Sequence, residues 1–101
     1  MAGLAIDFDL MQVEREGRVL FLPPIPFKIL ATLVRESPRV VPRELLEREV
    51  WGDSPPDSDA LRAHMHTLRA TVDRPFDRPL IHTVHGVGYR FADEPERGAT
   101  G

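Results

Sequence analysis

One stretch of the sequence, from Ser58 to Phe91, restricts the possible folds more than any other. Its first part, Ser58 to about Asp73, has the 3.6-residue apolar period of an amphipathic helix. The apolar stripe consists of Leu61, Met65, Leu68 and Val72. The positions opposite this stripe are Asp59, Ala63, His66, Thr67 and Ala70. A helix with one apolar face and an outer face of mostly short side chains is suited to insertion into a groove.

A hairpin is predicted directly after this helix, from Ile81 to Phe91, with Gly86-Val87-Gly88 at its turn. A dinucleotide-binding loop would need a third glycine and would open a helix, and this segment has neither feature. We therefore interpret the segment as a basic hairpin. Tyr89 and Trp51 are predicted to pack in the core.

The remaining elements follow from alternation, prolines and a glycine. Residues 4–9 and 11–14 alternate as half-buried strands do, and residues 19–22 resume a strand after a turn over Arg15–Arg18, which predicts a small antiparallel sheet at the N-terminus. A first helix is predicted to start near Pro24 or Pro26 and to stop at Ser37-Pro38. A second helix is predicted from Pro42 to Trp51, with Gly52 as its C-terminal cap and Asp57 or Ser58 capping the third helix. The core residues predicted in the first two helices are Phe27, Ile29, Leu30, Leu33, Val34, Leu45, Leu46 and Val50.

Length and composition predict one soluble domain over residues 1–92 and a flexible acidic tail over residues 93–101. The 101 residues are 42% hydrophobic and 29% charged, as in ordinary globular proteins. No apolar run approaches the ~20 residues of a membrane helix, and no signal peptide is recognisable, so we expect a cytoplasmic protein with no membrane partner. The absence of cysteine excludes disulfides and thiolate metal sites.

Charge is distributed unevenly, although the net charge is only −3. The segment from Ala60 to Ala92 carries five arginines and two aspartates, whereas the rest carries eight basic and fourteen acidic residues. This distribution favours an anion-binding face on an acidic body.

All four histidines also lie in the basic segment. His64 and His66 are two positions apart, which on a helix is roughly 200° of rotation, so they are poorly placed to share an ion. We predict no metal and no cofactor. The sequence shows no supported Ser-His-Asp arrangement, and we predict no enzyme activity.

The order of strands, three helices and a hairpin is that of a helix-turn-helix with a wing, an α+β fold. Three segments resemble the effector domain of OmpR/PhoB-type response regulators. They are Leu45-Leu46-x3-Val50-Trp51-Gly52, His64-Met65-x2-Leu68-Arg69, and Ile81-x-Thr83-Val84-x-Gly86-Val87-Gly88-Tyr89-Arg90-Phe91. The entry to the first helix is similar too, but Pro23 and Pro26 stand where the family has the Thr and Glu of a capping box.

This resemblance implies a two-component transcription regulator that binds tandem promoter repeats. The third helix is expected in the major groove and the wing against the minor groove. The candidate DNA-binding residues are Arg62, His64, His66, Thr67, Arg69, Thr83, His85 and Arg90. The family often has arginine at the positions of Thr67 and His85, and commonly a basic residue at that of Asp59.

Two further partners follow from the resemblance alone. RNA polymerase is expected to contact the loop before the third helix, Asp53-Ser54-Pro55-Pro56-Asp57. A phosphate-accepting receiver domain is expected upstream in a longer regulator, so the chain is either a fragment of one or a stand-alone effector domain.

The alternative to a DNA-binding function is a winged helix that has lost DNA binding and serves as a protein-interaction module. Salt dependence separates the two, because DNA binding weakens steeply with salt and an apolar protein contact does not.

Overall fold

An antiparallel sheet stands first in the computed structural model, which describes residues 3–54, 56 and 59–93. Its strands are β1 (Leu4–Asp7), β2 (Gln12–Arg15) and β3 (Arg18–Leu20), hydrogen-bonded in the order β1-β2-β3. This confirms the predicted sheet but shortens its first strand. Phe8 and Asp9 lie in the connecting loop, and Met11 has a φ of 51°, a left-handed conformation that interrupts an extended strand.

The turn between β2 and β3 contains only two residues. Glu16 and Gly17 have φ values of 51° and 81°, the pair of positive angles that suits a tight hairpin between twisted strands. Arg15 and Arg18 therefore face each other as strand residues. The predicted turn lies in the right place but is too long, and assigning Arg15 to it was wrong.

The three predicted helices are confirmed. They are α1 (Pro24–Glu36), α2 (Arg43–Trp51) and α3 (Ala60–Val72). Pro24 is accepted at the start of α1 because the first-turn N–H groups have no partner within the helix. Gly52 ends α2 as predicted, with a φ of 67° and its N–H donated to the carbonyl of Arg48 at 2.8 Å. Asp57 and Ser58, the predicted caps of α3, lie outside the described residues.

The apolar faces of the three helices meet in one core. Its members from the helices are Phe27, Ile29, Leu30, Leu33, Leu46, Val50, Leu61, Met65, Leu68 and Val72. Trp51, Val34 and Tyr89 are partly buried and pack against it. Leu45 was predicted to face inward and does not, since it is 43% exposed. Adjacent residues on a helix point about 100° apart, so only Leu46 of this pair is buried in the core.

The predicted C-terminal hairpin is confirmed as β5 (Ile81–Val84) and β6 (Gly88–Phe91). A short strand that the sequence did not predict, β4 (Val41–Pro42), joins it in the order β4-β6-β5. Pairing of β4 with β6 is so close that a Cβ at Gly88 would lie 2.0 Å from the carbonyl oxygen of Val41, which requires glycine at that position. The hairpin is thus fixed to the start of α2.

The described chain ends just after the hairpin. Ala92 is buried and its N–H donates to the carbonyl of Leu80 at 2.9 Å. Asp93 forms an ion pair with Arg78 at 2.7 Å. Most of the predicted tail, residues 94–101, lies outside the described residues. Among the residues that are described, none of the helices is long and apolar enough to cross a membrane.

Candidate nucleic-acid interface

The outer face of α3 presents short and basic side chains to solvent. Ala63 and His66 are exposed, and Thr67 is half-buried with its hydroxyl donated to the carbonyl of Ala63 at 3.4 Å. No acidic residue occurs between Ala60 and Val72. Short side chains let another surface come close to the helix axis, and the absence of carboxylates leaves that surface suitable for a polyanion.

Arg69 connects this helix face to the hairpin. Its Nη2 donates to the hydroxyl of Thr83 in β5, and its guanidinium lies 5.6 Å from the centre of the Tyr89 ring in β6. Thr83 and Tyr89 face each other across the two strands. The hydroxyl and the ring fix the orientation of the Arg69 guanidinium, and some of its N–H donors remain available for a ligand. The structure therefore brings two of the predicted residues, Arg69 and Thr83, to one point.

A groove of about 340 Å³ separates α3 from the wing on the side of Arg62. It is lined by Arg43 and Glu44 of α2, by Arg62, and by residues 83–89 of the hairpin. The backbone N–H of Arg43 donates to the carbonyl of Val87 in the wing turn at 3.1 Å. Arg43, which the sequence reasoning missed, thus lies beside the wing, with its Nε 3.8 Å from the carboxylate of Glu47.

The two histidines of α3 have different surroundings. The ring of His64 is half-buried, with its centre 5.9 Å from that of Trp51 at the end of α2. His66 is exposed, and its Nδ1 lies 3.4 Å from Nη2 of Arg74 in the loop after α3. Arg74 adds a positive charge to this end of the helix, and the sequence reasoning counted it only toward the net charge.

Arg90 lies apart from the other candidates. Its Nε donates to the carbonyl of Pro38 at 3.0 Å, and its cross-strand neighbour His82 has Nε2 at 3.1 Å from the carbonyl oxygen of Ala92. Side chains alternate between the two faces of a strand, so Arg90 and Thr83 are on opposite faces of the hairpin. His85 is exposed in the turn. The predicted DNA contact of Arg90 stays a prediction that this geometry does not favour.

The predicted polymerase-contact loop is described only in part. Asp53, Ser54 and Pro56 are exposed, whereas Pro55 and Asp57 lie outside the described residues. Asp59, at the start of α3, is exposed and makes no side-chain hydrogen bond to the helix N-terminus.

A buried polar network lies behind the exposed face and was not predicted. Both carboxylate oxygens of Asp73 accept backbone N–H groups, from Leu80 at 3.0 Å and from Ile81 at 3.1 Å. Arg15, only 2% exposed, donates to Asp73 at 3.3 Å, to the carbonyl of Arg78 at 2.6 Å, and to the carbonyl of Val72. A strand arginine next to a turn gives no periodic signal of burial, which explains why sequence reasoning missed it.

Metal-ligating side chains do not gather into a site in the part of the chain that the structure describes. No three His, Asp or Glu residues there are placed to hold one ion. The chemistry offered by the exposed face is that of guanidinium, imidazole and hydroxyl groups, which donate hydrogen bonds to anionic oxygens.

The exposed helix α3 lies beside the hairpin of β5 and β6, and β4 joins that hairpin to the start of α2. This arrangement is that of a winged helix-turn-helix domain. The sequence profile described as "Transcriptional regulatory protein, C terminal" matches residues 17–91. The chain therefore belongs to this family, the OmpR/PhoB-type effector domains, which confirms the resemblance noted from its motifs.

Curated and solved relatives agree with this assignment. The DNA-binding response regulator MtrA of Mycolicibacterium paratuberculosis is 35% identical over 92 residues, which are 89% of this chain and 41% of that protein. The chain thus spans less than half of this relative. The crystal structure of the DNA-binding domain of CpxR from E. coli matches with a TM-score of 0.77 at 29% identity, covering 91% of this chain and 92% of that one. The DNA-binding domain of Klebsiella pneumoniae RstA, solved in complex with the RstA box, matches with a TM-score of 0.77 at 25% identity, over 89% and 91% of the two chains.

Proposed function

We propose that this domain binds double-stranded promoter DNA and regulates transcription as the effector domain of a cytoplasmic response regulator. α3 enters the major groove with its short-chained face toward the bases, and the hairpin wing lies against the backbone and the adjacent minor groove. The observation that carries the proposal is the convergence of Arg69 and Thr83, because it places a helix cation and a wing hydroxyl at one position on the exposed surface.

A DNA phosphate is the ligand that best fits this position. Arg69 offers charge-assisted N–H donors and Thr83 a hydroxyl, both of which bind phosphate oxygens. The ring of Tyr89 lies against the Arg69 guanidinium in a cation-π contact and helps to hold it in place. Arg62 and Arg43, on two sides of the neighbouring groove, are placed for further phosphates along the same strand.

Base recognition is assigned to the outer face of α3. His66 and Thr67 offer polar groups to base edges, and the methyl groups of Ala63 and Thr67 suit contact with thymine methyls. His64 is placed nearer to α2, and His85 at the wing tip is suited to the minor groove. Few phosphates are neutralised by one domain, so binding to tandem repeats, or fusion to a receiver domain, supplies the remaining affinity through effective concentration.

The test is selection from a random-sequence duplex pool at low and moderate salt. We expect the wild-type domain to enrich a repeated motif, and Arg69→Ala to lose it. Arg35→Ala is the charge-matched control, because Arg35 pairs with Glu49 between α1 and α2, outside the proposed interface. A folded wild-type domain that retains no duplex at low salt would contradict the proposal and direct attention to protein partners.

The loop before α3 is proposed as a contact for RNA polymerase. Asp53, Ser54 and Pro56 are exposed, as a surface loop needs to be for this role. Replacing Asp53 with Ala is expected to leave operator binding unchanged and to reduce transcription in a purified system with polymerase. Equal loss of both activities, or of neither, would argue against this role.

A further inference from the structure

We propose that Arg15 is a positioning residue for DNA binding, which holds α3 and the wing at the spacing that lets Arg69 and Thr83 act together. The inference rests on the proposed function and extends it to a buried residue of the N-terminal sheet. Arg15 is 2% exposed and cannot itself touch DNA. Its effect must therefore pass through the groups that it binds.

Those groups lie at both ends of the loop that connects α3 to the wing. The carbonyl of Val72 is the last of α3, and Asp73 follows it directly. The carbonyl of Arg78 lies two residues before Leu80, whose N–H is held by the Asp73 carboxylate. One guanidinium therefore links the end of the helix to the approach of β5.

Residues of this network also lie close in sequence to the two contact residues, Arg69 and Thr83. Arg69 is one helical turn before Asp73, and Thr83 is two residues after Ile81, whose N–H donates to Asp73 at 3.1 Å. A shift of the loop would separate Arg69 from Thr83 before it disturbed the rest of α3. The ring of Phe76, within the loop, lies 4.4 Å from the Arg15 guanidinium carbon and holds it from one side.

Stability alone gives little reason for a guanidinium at this position. A buried ion pair is often no more stabilising than apolar side chains of similar size, because both charges lose their hydration. Arg15 Nε is, in addition, buried without a hydrogen-bond partner among the described residues. Directional bonds to three oxygen acceptors, however, fix relative positions in a way that apolar contacts do not.

Arg15→Met tests this inference, with Arg18→Met as a matched control. Arg18 also lies over Phe76, with its guanidinium carbon 5.2 Å from the ring centre, and it is exposed on β3. Both substitutions remove one positive charge from the same sheet. On the operator obtained by selection, we expect Arg15→Met to bind on the order of tenfold more weakly and Arg18→Met within about twofold of wild type.

A double-mutant cycle separates positioning from general destabilisation. Thr83→Val is expected to weaken binding clearly in the wild-type background and by less than about twofold in the Arg15→Met background. Arg62→Ala, away from the network, is expected to cost the same factor in both backgrounds. If Arg15→Met only unfolded a fraction of the protein, every measured affinity would fall by the same factor. Thr83→Val and Arg62→Ala would then each cost the same in both backgrounds, and that result would overturn the inference.

Two further measurements remove the remaining ambiguities. If Arg15→Met does not fold, Arg15→Lys replaces it, since an ammonium keeps the charge but cannot span the same set of acceptors. Amide hydrogen exchange in the absence of DNA is expected to rise at Leu80 and Ile81 in the Arg15 variant and not in Arg18→Met. Unchanged exchange would contradict the network's role, whereas wild-type protein that binds no duplex would refute the proposed function instead.

Discussion

Two arginines lie near the C-terminal end of α3, and they are held in different ways. Arg15 reaches it from the sheet, is buried, and donates to three oxygen atoms of neighbouring groups. Arg69 projects from the helix itself, is partly exposed, and is held by one hydroxyl and one ring. A guanidinium has five N–H donors, so a residue that uses most of them internally fixes structure, while one that uses few can bind a ligand. We therefore expect substitutions in the buried network to lower stability strongly, and substitution of Arg69 to lower DNA affinity with little loss of stability.

The largest loss of stability is expected on the buried side, from Asp73→Ala. This change leaves Arg15 as an unpaired buried charge and removes the acceptor for two backbone N–H groups, which costs about 3–5 kcal/mol of unfolding free energy. Urea denaturation monitored by circular dichroism measures the change. Asp77→Ala, at an exposed position of the same loop, is the control and should have almost no effect. Equal effects of the two substitutions would contradict the role given to Asp73.

Gly88→Ala tests the attachment of the wing to α2. The added methyl group would overlap the carbonyl of Val41, so strands β4 and β6 must separate. We expect a loss of about 2–4 kcal/mol, in the range of severe local disruption. Gly86→Ala is the matched control, because Gly86 has a φ of 78° but an open environment and should lose only about 1 kcal/mol. A smaller cost at Gly88 than at Gly86 would show that the wing is not fixed in this way.

On the exposed side, Arg69→Ala should lower DNA affinity with little loss of stability. Unfolding free energy should change by less than about 1 kcal/mol, since the side chain is partly exposed. Operator affinity should fall on the order of tenfold, and the salt dependence of log K should decrease by about one contact. Binding titrations at several salt concentrations supply both quantities. An unchanged salt slope would mean that Arg69 does not contact a phosphate.

The smallest effect should come from the surface pair of Arg35 and Glu49. Their 2.7 Å hydrogen bond raises the pKa of Arg35, which remains charged at every physiological pH. Arg35→Ala should cost less than about 1 kcal/mol by denaturation, as exposed ion pairs usually do, and should not alter DNA binding. A larger loss would show that exposed pairs matter here as much as the buried one.

The sequence predicted those parts of the fold that have a recognisable residue pattern within a single helix or hairpin. The stripe from Leu61 to Val72 and the glycine-containing wing follow from helical period and turn chemistry. Leu45 was misplaced because two adjacent leucines leave the inward one undecided. β4, only two residues long and ending in Pro42, is too short for an alternating pattern.

The candidate site was predictable only on its exposed side. Arg69 and Thr83 were found through the family resemblance, whereas their mutual contact required the structure. Arg15 lies 58 positions from Asp73, and no local pattern pairs residues so far apart. The contact between Arg15 and Asp73 thus depends on tertiary packing, and no local pattern in the sequence indicates it.

The decisive measurement for the proposed interface is amide chemical-shift mapping of the domain during titration with the selected operator. We expect shifts on the outer face of α3, at His66, Thr67 and Arg69, and at Thr83 and His85 in the wing. Smaller shifts are expected at Leu80 and Ile81, and almost none on β1. Shifts confined to the N-terminal sheet or to the loop at residues 53–57, with α3 unperturbed, would contradict the proposed interface.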